Sequence, residues 1–146
     1  MFSKYVVECD NDKTLVQELL NIRSGRIHHA LGKTNVLKVL QKSENSLGLI
    51  DEDPESHQPP MLRSIQVNYI GNGIKVGQFR SNKLVILCPE LEEWVVRAIE
   101  EIANLNPKID AKTLKYNPEM FRKSLGRLIQ LNSSYIITLR NVMTTT

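Results

Sequence analysis

The sequence predicts a three-layer α/β domain with a mostly parallel central sheet, plus a small hairpin and helices at the carboxyl end. Three observations support this. Two uninterrupted apolar runs, Leu47–Ile50 and Leu84–Cys88, read as strands buried on both faces, the kind found inside a parallel sheet. Amphipathic helical patterns alternate with the strand patterns, which predicts right-handed crossovers and helices on both faces. A Gly71-Asn72-Gly73 turn between two alternating segments marks the hairpin.

The elements follow in order. Lys4–Cys9 (KYVVEC) is β-branched and aromatic, carries Glu8 near its end and gives way to Asp10-Asn11-Asp12, which are helix-capping residues. Leu15, Val16, Leu19, Leu20 and Ile22 make the helix that follows, with Gly25 expected to close it. Arg26–Leu31 reads as a weak second strand, and Gly32-Lys33-Thr34 leads into a helix bearing Val36, Leu37, Val39 and Leu40. After the strand around Ile50, residues 55–60 form a polar, proline-bearing loop. Ile65–Ile70 and Ile74–Phe79 are the hairpin, and Lys83–Cys88 is the second buried strand. Pro89 is read as starting the most regular helix, with Leu91, Trp94, Val95, Ala98, Ile99 and Ile102 at helical spacing and Asn106-Pro107 ending it. Asn117-Pro118-Glu119 is a helix start, followed by a stripe of Phe121, Leu125, Leu128 and Ile129. Tyr135–Leu139 is expected as a last edge strand, and Thr144–Thr146 as disordered.

At 146 residues the chain reads as one domain, 1–146, with a core at about 4–104 and a basic helical extension at about 107–140. Apolar content of 41% and charged content of 24% are ordinary for a globular protein. No apolar run is long enough for a bilayer or a signal peptide, so the expected place is the cytoplasm, with no membrane partner. Cys9 and Cys88 are then expected as reduced thiols, without the spacing of a metal motif. The net charge of +3 is unevenly spread: residues 1–106 hold 12 basic and 14 acidic groups, whereas 107–146 hold 7 basic and 2 acidic. An acidic site beside a basic flank suits a polyanion held to a metal, although a solvated helix face explains the same lysines and arginines.

Open α/β sheets bind ligands outside the carboxyl ends of their strands, which is where Asp51 and Asp53 stand. Two close carboxylates repel unless a proton or cation sits between them, so a hard metal ion is the first expectation. Glu8 ends another strand of the same direction and is expected at the same edge. Glu92 lies on the border of the amphipathic helix stripe, either as a solvated acid or as a fourth carboxylate delivered there. Asp10 and Asp12 are explained as helix caps. Gly32-Lys33-Thr34 is not a phosphate-binding loop of the G-x-x-x-x-G-K-[ST] type, since Ile27 stands where glycine is needed, but Lys33 beside free helix N–H groups can still meet an anion. His28 and His29 point to opposite strand faces and His57 lies in a loop, so none has ligand spacing.

These residues together resemble the Toprim fold, the catalytic domain shared by topoisomerases, bacterial-type primases and the overcoming-lysogenization-defect nucleases. Tyr5-Val6-Val7-Glu8-Cys9 followed by Asp12 looks like the family's first motif, with Cys9 in place of the usual glycine. Gly32-Lys33-Thr34-Asn35 is similar to its middle glycine motif, and Leu49-Ile50-Asp51-Glu52-Asp53 to its D-x-D strand end. Cys88-Pro89-Glu90-Leu91-Glu92-Glu93-Trp94 resembles a P-x-x-[IL]-E segment of small stand-alone or defence-associated members. The resemblance covers about residues 4–104. It implies that Glu8 is the general acid/base or a metal ligand, that Asp51 and Asp53 hold Mg²⁺ or Mn²⁺, and that Glu92 assists a second metal. The implied chemistry is cleavage or transfer of nucleic-acid phosphodiesters, in some members beside an ATPase partner. The basic end after residue 107 has no place in the resemblance; if Lys112, Lys115, Arg122, Lys123 and Arg127 face the acidic edge, they are expected to meet the phosphates. Two other readings stand beside it. One is a non-catalytic Toprim-like module that binds nucleic acid or a partner. The other is a receiver-type signalling domain, disfavoured because Cys88-Pro89 follows the strand where a hydroxyl residue belongs.

Overall fold

In the computed structural model, residues 1–102 and 109–145 are described. A six-stranded mixed sheet runs in the order β2-β1-β3-β6-β5-β4. Its strands are β1 (Lys4–Val7), β2 (Ile27–His29), β3 (Ser46–Asp51), β4 (Val67–Gly71), β5 (Ile74–Phe79) and β6 (Asn82–Leu87). β2, β1, β3 and β6 are parallel, while β5 and β4 add antiparallel to β6 as an edge hairpin. The three strands expected at the parallel centre therefore lie side by side. Their burial on both faces explains why they read as unbroken apolar runs.

Alternation along these strands sorts the core into two layers. Tyr5, Val7, Leu47, Leu49, Val85 and Leu87 face α1 (Asp10–Leu20), α3 (Leu91–Glu101) and the carboxyl-terminal helices α4 (Ala111–Tyr116), α5 (Pro118–Gln130) and α6 (Ser134–Thr144). Val6, Ile50, Leu84 and Ile86 face α2 (Lys33–Gln41) through Val36, Leu37 and Leu40. The chain leaves β1 toward β2 and then returns past β1 to β3. With crossovers of one hand, that reversal puts α1 and α2 on opposite faces. Gly48 lets α2 come close, since a Cβ there would stand 2.5 Å from Leu40 Cδ1 and 3.2 Å from Val36 Cγ1.

Several expected boundaries move. α1 ends at Leu20, where Asn21 adopts the left-handed conformation (φ 53°) and donates its N–H to the Gln17 carbonyl. Gly25 falls in the following 3-10 turn, Ser24–Arg26. The hairpin begins at Val67 rather than Ile65, and Ile65 instead packs in the α2-side core. α3 begins at Leu91, with Glu90 rather than Pro89 before its first turn, and ends at Glu101. Asn106 and Pro107 lie outside the described residues.

Tyr135–Leu139 is not a strand. It belongs to α6, where Ser133 Oγ accepts from Tyr135 N and Ile136, Leu139 and Met143 are buried at helical spacing. Thr144 is the last residue of that helix rather than a disordered one. The carboxyl-terminal helices are not an appendage: Leu114, Phe121, Leu125, Leu128, Ile136 and Leu139 are fully buried in the same core as Tyr5 and Trp94. Among the described residues no helix is long and apolar enough to cross a membrane.

Candidate metal centre

β1 and β3 are neighbours from which the chain departs in opposite directions, so the crevice at their carboxyl ends is a topological switch point. Register places Val7 beside Leu49 and Asp51 beside Leu87. Glu8, Asp51 and the start of α3 therefore meet at one edge. Glu8 is fixed there by accepting the Asp51 backbone N–H at 2.9 Å. Asp51 Oδ1 in turn accepts from Leu91 N, the first amide of α3, also at 2.9 Å. Glu92 is only 4% exposed and its Oε2 accepts from Asn11 Nδ2 at 3.0 Å. The result is a group of three acids, Asp51, Glu90 and Glu92, whose ligand atoms all lie within 4.8 Å of one another.

A cavity of about 460 Å³ opens over this group, with Glu8 and Asp53 also on its wall. Two helix N-termini bear on it. α3 contributes through Leu91 N, and α1 begins beside it with Cys9 as its cap. The partial positive charge of such ends favours carboxylates, but it does not cancel several of them. Burial raises the pKa of Glu8, of Glu90 and, to about 9, of Asp51, on which the charges of Asp12, Glu8 and Glu92 add. Asp12 is likewise raised, to about 7, by burial first and then by Glu8 and Glu92. It is 1% exposed, its Oδ2 accepts from Cys9 N and Sγ, and its Oδ1 has no hydrogen-bond partner. This edge of the sheet thus gathers more carboxyl groups than its protein surroundings keep ionised.

Of the acids picked out in the sequence, Asp51 and Glu92 fall within the tight group, while Glu8 and Asp53 line the same cavity outside it. Asp53 is exposed, in the left-handed conformation (φ 45°), and its N–H donates to the Pro89 carbonyl at 2.7 Å. Lys33 reaches this edge as well, but its Nζ donates to the Glu52 carbonyl (2.8 Å) and to Gln58 Oε1 (3.0 Å), tying α2 to the loop after β3. Of the carboxyl-terminal cations, Lys115 lines the cavity. Lys112, Arg122, Lys123 and Arg127 do not line it; Arg122 pairs with Glu18 at 3.9 Å and Lys123 with Glu119 at 3.4 Å. His57 is exposed, and His29 Nε2 lies 3.0 Å from the Glu8 carbonyl oxygen.

Three residues escaped the sequence reading. Glu90 was visible only as the first acid of Glu90-Leu91-Glu92 after a strand. Asp12 does cap α1, as expected, and its burial among acids is a second property that capping alone conceals. Asn11 looked like a cap as well, yet its amide holds Glu92. Cys9 sits in extended backbone (φ −145°, ψ 177°), which any residue adopts, so the turn into α1 needs no glycine. No protein-family model, curated protein or solved structure matches the chain.

Proposed function

We propose that this chain is a Toprim-like, divalent-cation-dependent enzyme that hydrolyses or transfers phosphodiester bonds in nucleic acid. The observation that supports this most is the meeting of Asp51, Glu90 and Glu92 at the carboxyl ends of parallel strands. An all-oxygen set of carboxylates suits Mg²⁺ or Mn²⁺, and the unbalanced charge around Asp51 and Asp12 Oδ1 is what a hard cation would relieve. The order of acids also favours the reading, with Glu8 after β1, Asp51 and Asp53 at and after β3, and Glu92 after β6.

When bound, such an ion supplies charge stabilisation at the phosphate and acidifies water. Asp51, Glu90 and Glu92 would hold it. Glu8, its pKa raised by burial and its Oε1 fixed by Asp51 N, would accept the proton of the attacking water. The oxygen of that water bonds to phosphorus, the bond to the leaving sugar oxygen breaks, and the departing oxygen takes a proton from water in the open cavity.

The test is incubation of the purified protein with single- and double-stranded DNA and RNA, with Mg²⁺ and with Mn²⁺. Cleavage or nicking is expected, and Asp51→Ala should abolish it while leaving binding intact or improved, since it removes negative charge near the phosphates. If every substrate stays intact and Asp51→Ala changes neither binding nor thermal stability in Mn²⁺, the enzyme reading is wrong and a non-catalytic binding module takes its place.

A further inference from the structure

We infer that Lys115 and Tyr116, the last two residues of α4, grip one unstacked nucleotide beside the acid group, so that the nucleic acid taken there is single-stranded. The inference rests on the proposed reading of that site and narrows its substrate. Tyr116 is 74% exposed and forms part of the wall of the acidic cavity. A single exposed aromatic is ordinary on a protein surface, so its position is what matters. Lys115 is the only basic residue lining this cavity among the described residues, facing Glu8, Asp10, Asp51, Asp53, Glu90 and Glu92, and it joins no ion pair among them.

The backbone that carries the pair is anchored. Leu114 is fully buried in the core, and its carbonyl accepts from Asn11 Nδ2 at 3.4 Å. The same amide nitrogen donates to Glu92 at 3.0 Å. One side chain therefore sets the spacing between the acid group and the end of α4. Asp110 caps the start of α4, and Asn117-Pro118 begins the next helix directly after Tyr116, which fixes the other end.

An aromatic ring next to an ammonium on an anchored backbone matches the base and the phosphate of one nucleotide. The phenol ring takes the π-face of a base, and the lysine takes a phosphate oxygen as a point charge. A base in a duplex is already stacked on both sides and has no face to offer. Every base has a π-face, so the grip should be tolerant of sequence.

The test is fluorescence anisotropy of a fluorescein-labelled oligothymidylate and of a labelled duplex of equal length, with Ca²⁺ replacing Mg²⁺ so that the strands survive. Stacking of about 1–3 kcal/mol per base predicts that Tyr116→Ala weakens single-strand binding about 5- to 150-fold. Duplex binding should change less than about twofold, within the scatter of an exposed substitution. Tyr116→Trp should retain single-strand binding and show emission quenched by the oligonucleotide, against the constant background of buried Trp94. Lys115→Gln should lower the salt slope by about one. Unchanged single-strand binding by Tyr116→Ala, or equal losses on strand and duplex, would overturn the inference. Calorimetry with Mn²⁺ keeps the two readings apart. Persistent metal binding and Asp51-dependent cleavage with no role for Tyr116 sinks the grip alone. Absent metal binding and cleavage, with Tyr116-dependent strand binding intact, sinks the enzyme alone.

Discussion

Replacing Asp51 with Asn should make the metal-free protein more stable, and increasingly so as pH rises. The carboxyl of Asp51 titrates near 3.8 when unperturbed and is pushed to about 9 in the folded protein, by burial first and then by the charges of Asp12, Glu8 and Glu92. Between those values the folded state holds a proton that the unfolded chain has released. Stability contributed by this group is therefore present at low pH and lost as pH rises through the window. Each pH unit is worth about 1.4 kcal/mol for one proton, so the loss between pH 5 and pH 8 is about 4 kcal/mol. For a domain of this size that is a fall of about 12 °C in Tm. Asn keeps an Oδ1 to accept from Leu91 N, as Asp51 does at 2.9 Å, and carries no charge. Thermal and urea unfolding in EDTA at each pH unit from 5 to 8 should show the gap between variant and wild type widening in favour of Asn. Saturating Mn²⁺ should rescue the wild type and leave the variant unmoved. A gap that does not change with pH, or a variant less stable at every pH, would refute the argument that these acids are held against their own repulsion.

Three further outcomes follow from particular contacts. At a free Mn²⁺ concentration about 100-fold above its Kd, the wild type should gain about 2.7 kcal/mol, and Glu90→Gln should lower the affinity measured by calorimetry. Gly48→Ala should cost about 1–3 kcal/mol in urea unfolding, because its Cβ would stand 2.5 Å from Leu40 Cδ1 and 3.2 Å from Val36 Cγ1, so these buried side chains must repack. Phe121→Ala should cost about 3–5 kcal/mol in a single cooperative transition, which checks that α5 shares one core with the sheet.

The parallel centre was legible because strands covered on both faces leave unbroken apolar runs, as in Leu47–Ile50 and Leu84–Leu87. The convergence of Glu8 and Asp51 was legible for the same reason, since parallel strands end at one edge. α6 was not legible from Tyr135–Leu139 alone. Its β-branched residues favour a strand locally, and the pattern that decides for helix, Ile136, Leu139 and Met143, extends beyond that window and gains its meaning from the core it enters. Glu90 and Asp12 were hidden for a different reason. Each has a sufficient local role at a helix start, and only the long-range pairing of β3 with both β1 and β6 shows that those helix starts share one small volume.

That pairing has a consequence for the order of folding. β4, β5 and β6 form an antiparallel meander of neighbours in sequence, which closes short loops and can form early. The acid group is assembled otherwise. Lys4 pairs with Ser46 and Leu47 with Lys83, so β3 must slot between strands distant on either side of it in the chain. The carboxylates meet only at that step, and their repulsion enters on the native side of the slow, loop-closing search. Alkaline pH should then act chiefly by speeding escape from the native state, with little effect on the rate of reaching it, and a cation arriving at the finished site would serve as a latch on the last strand to enter.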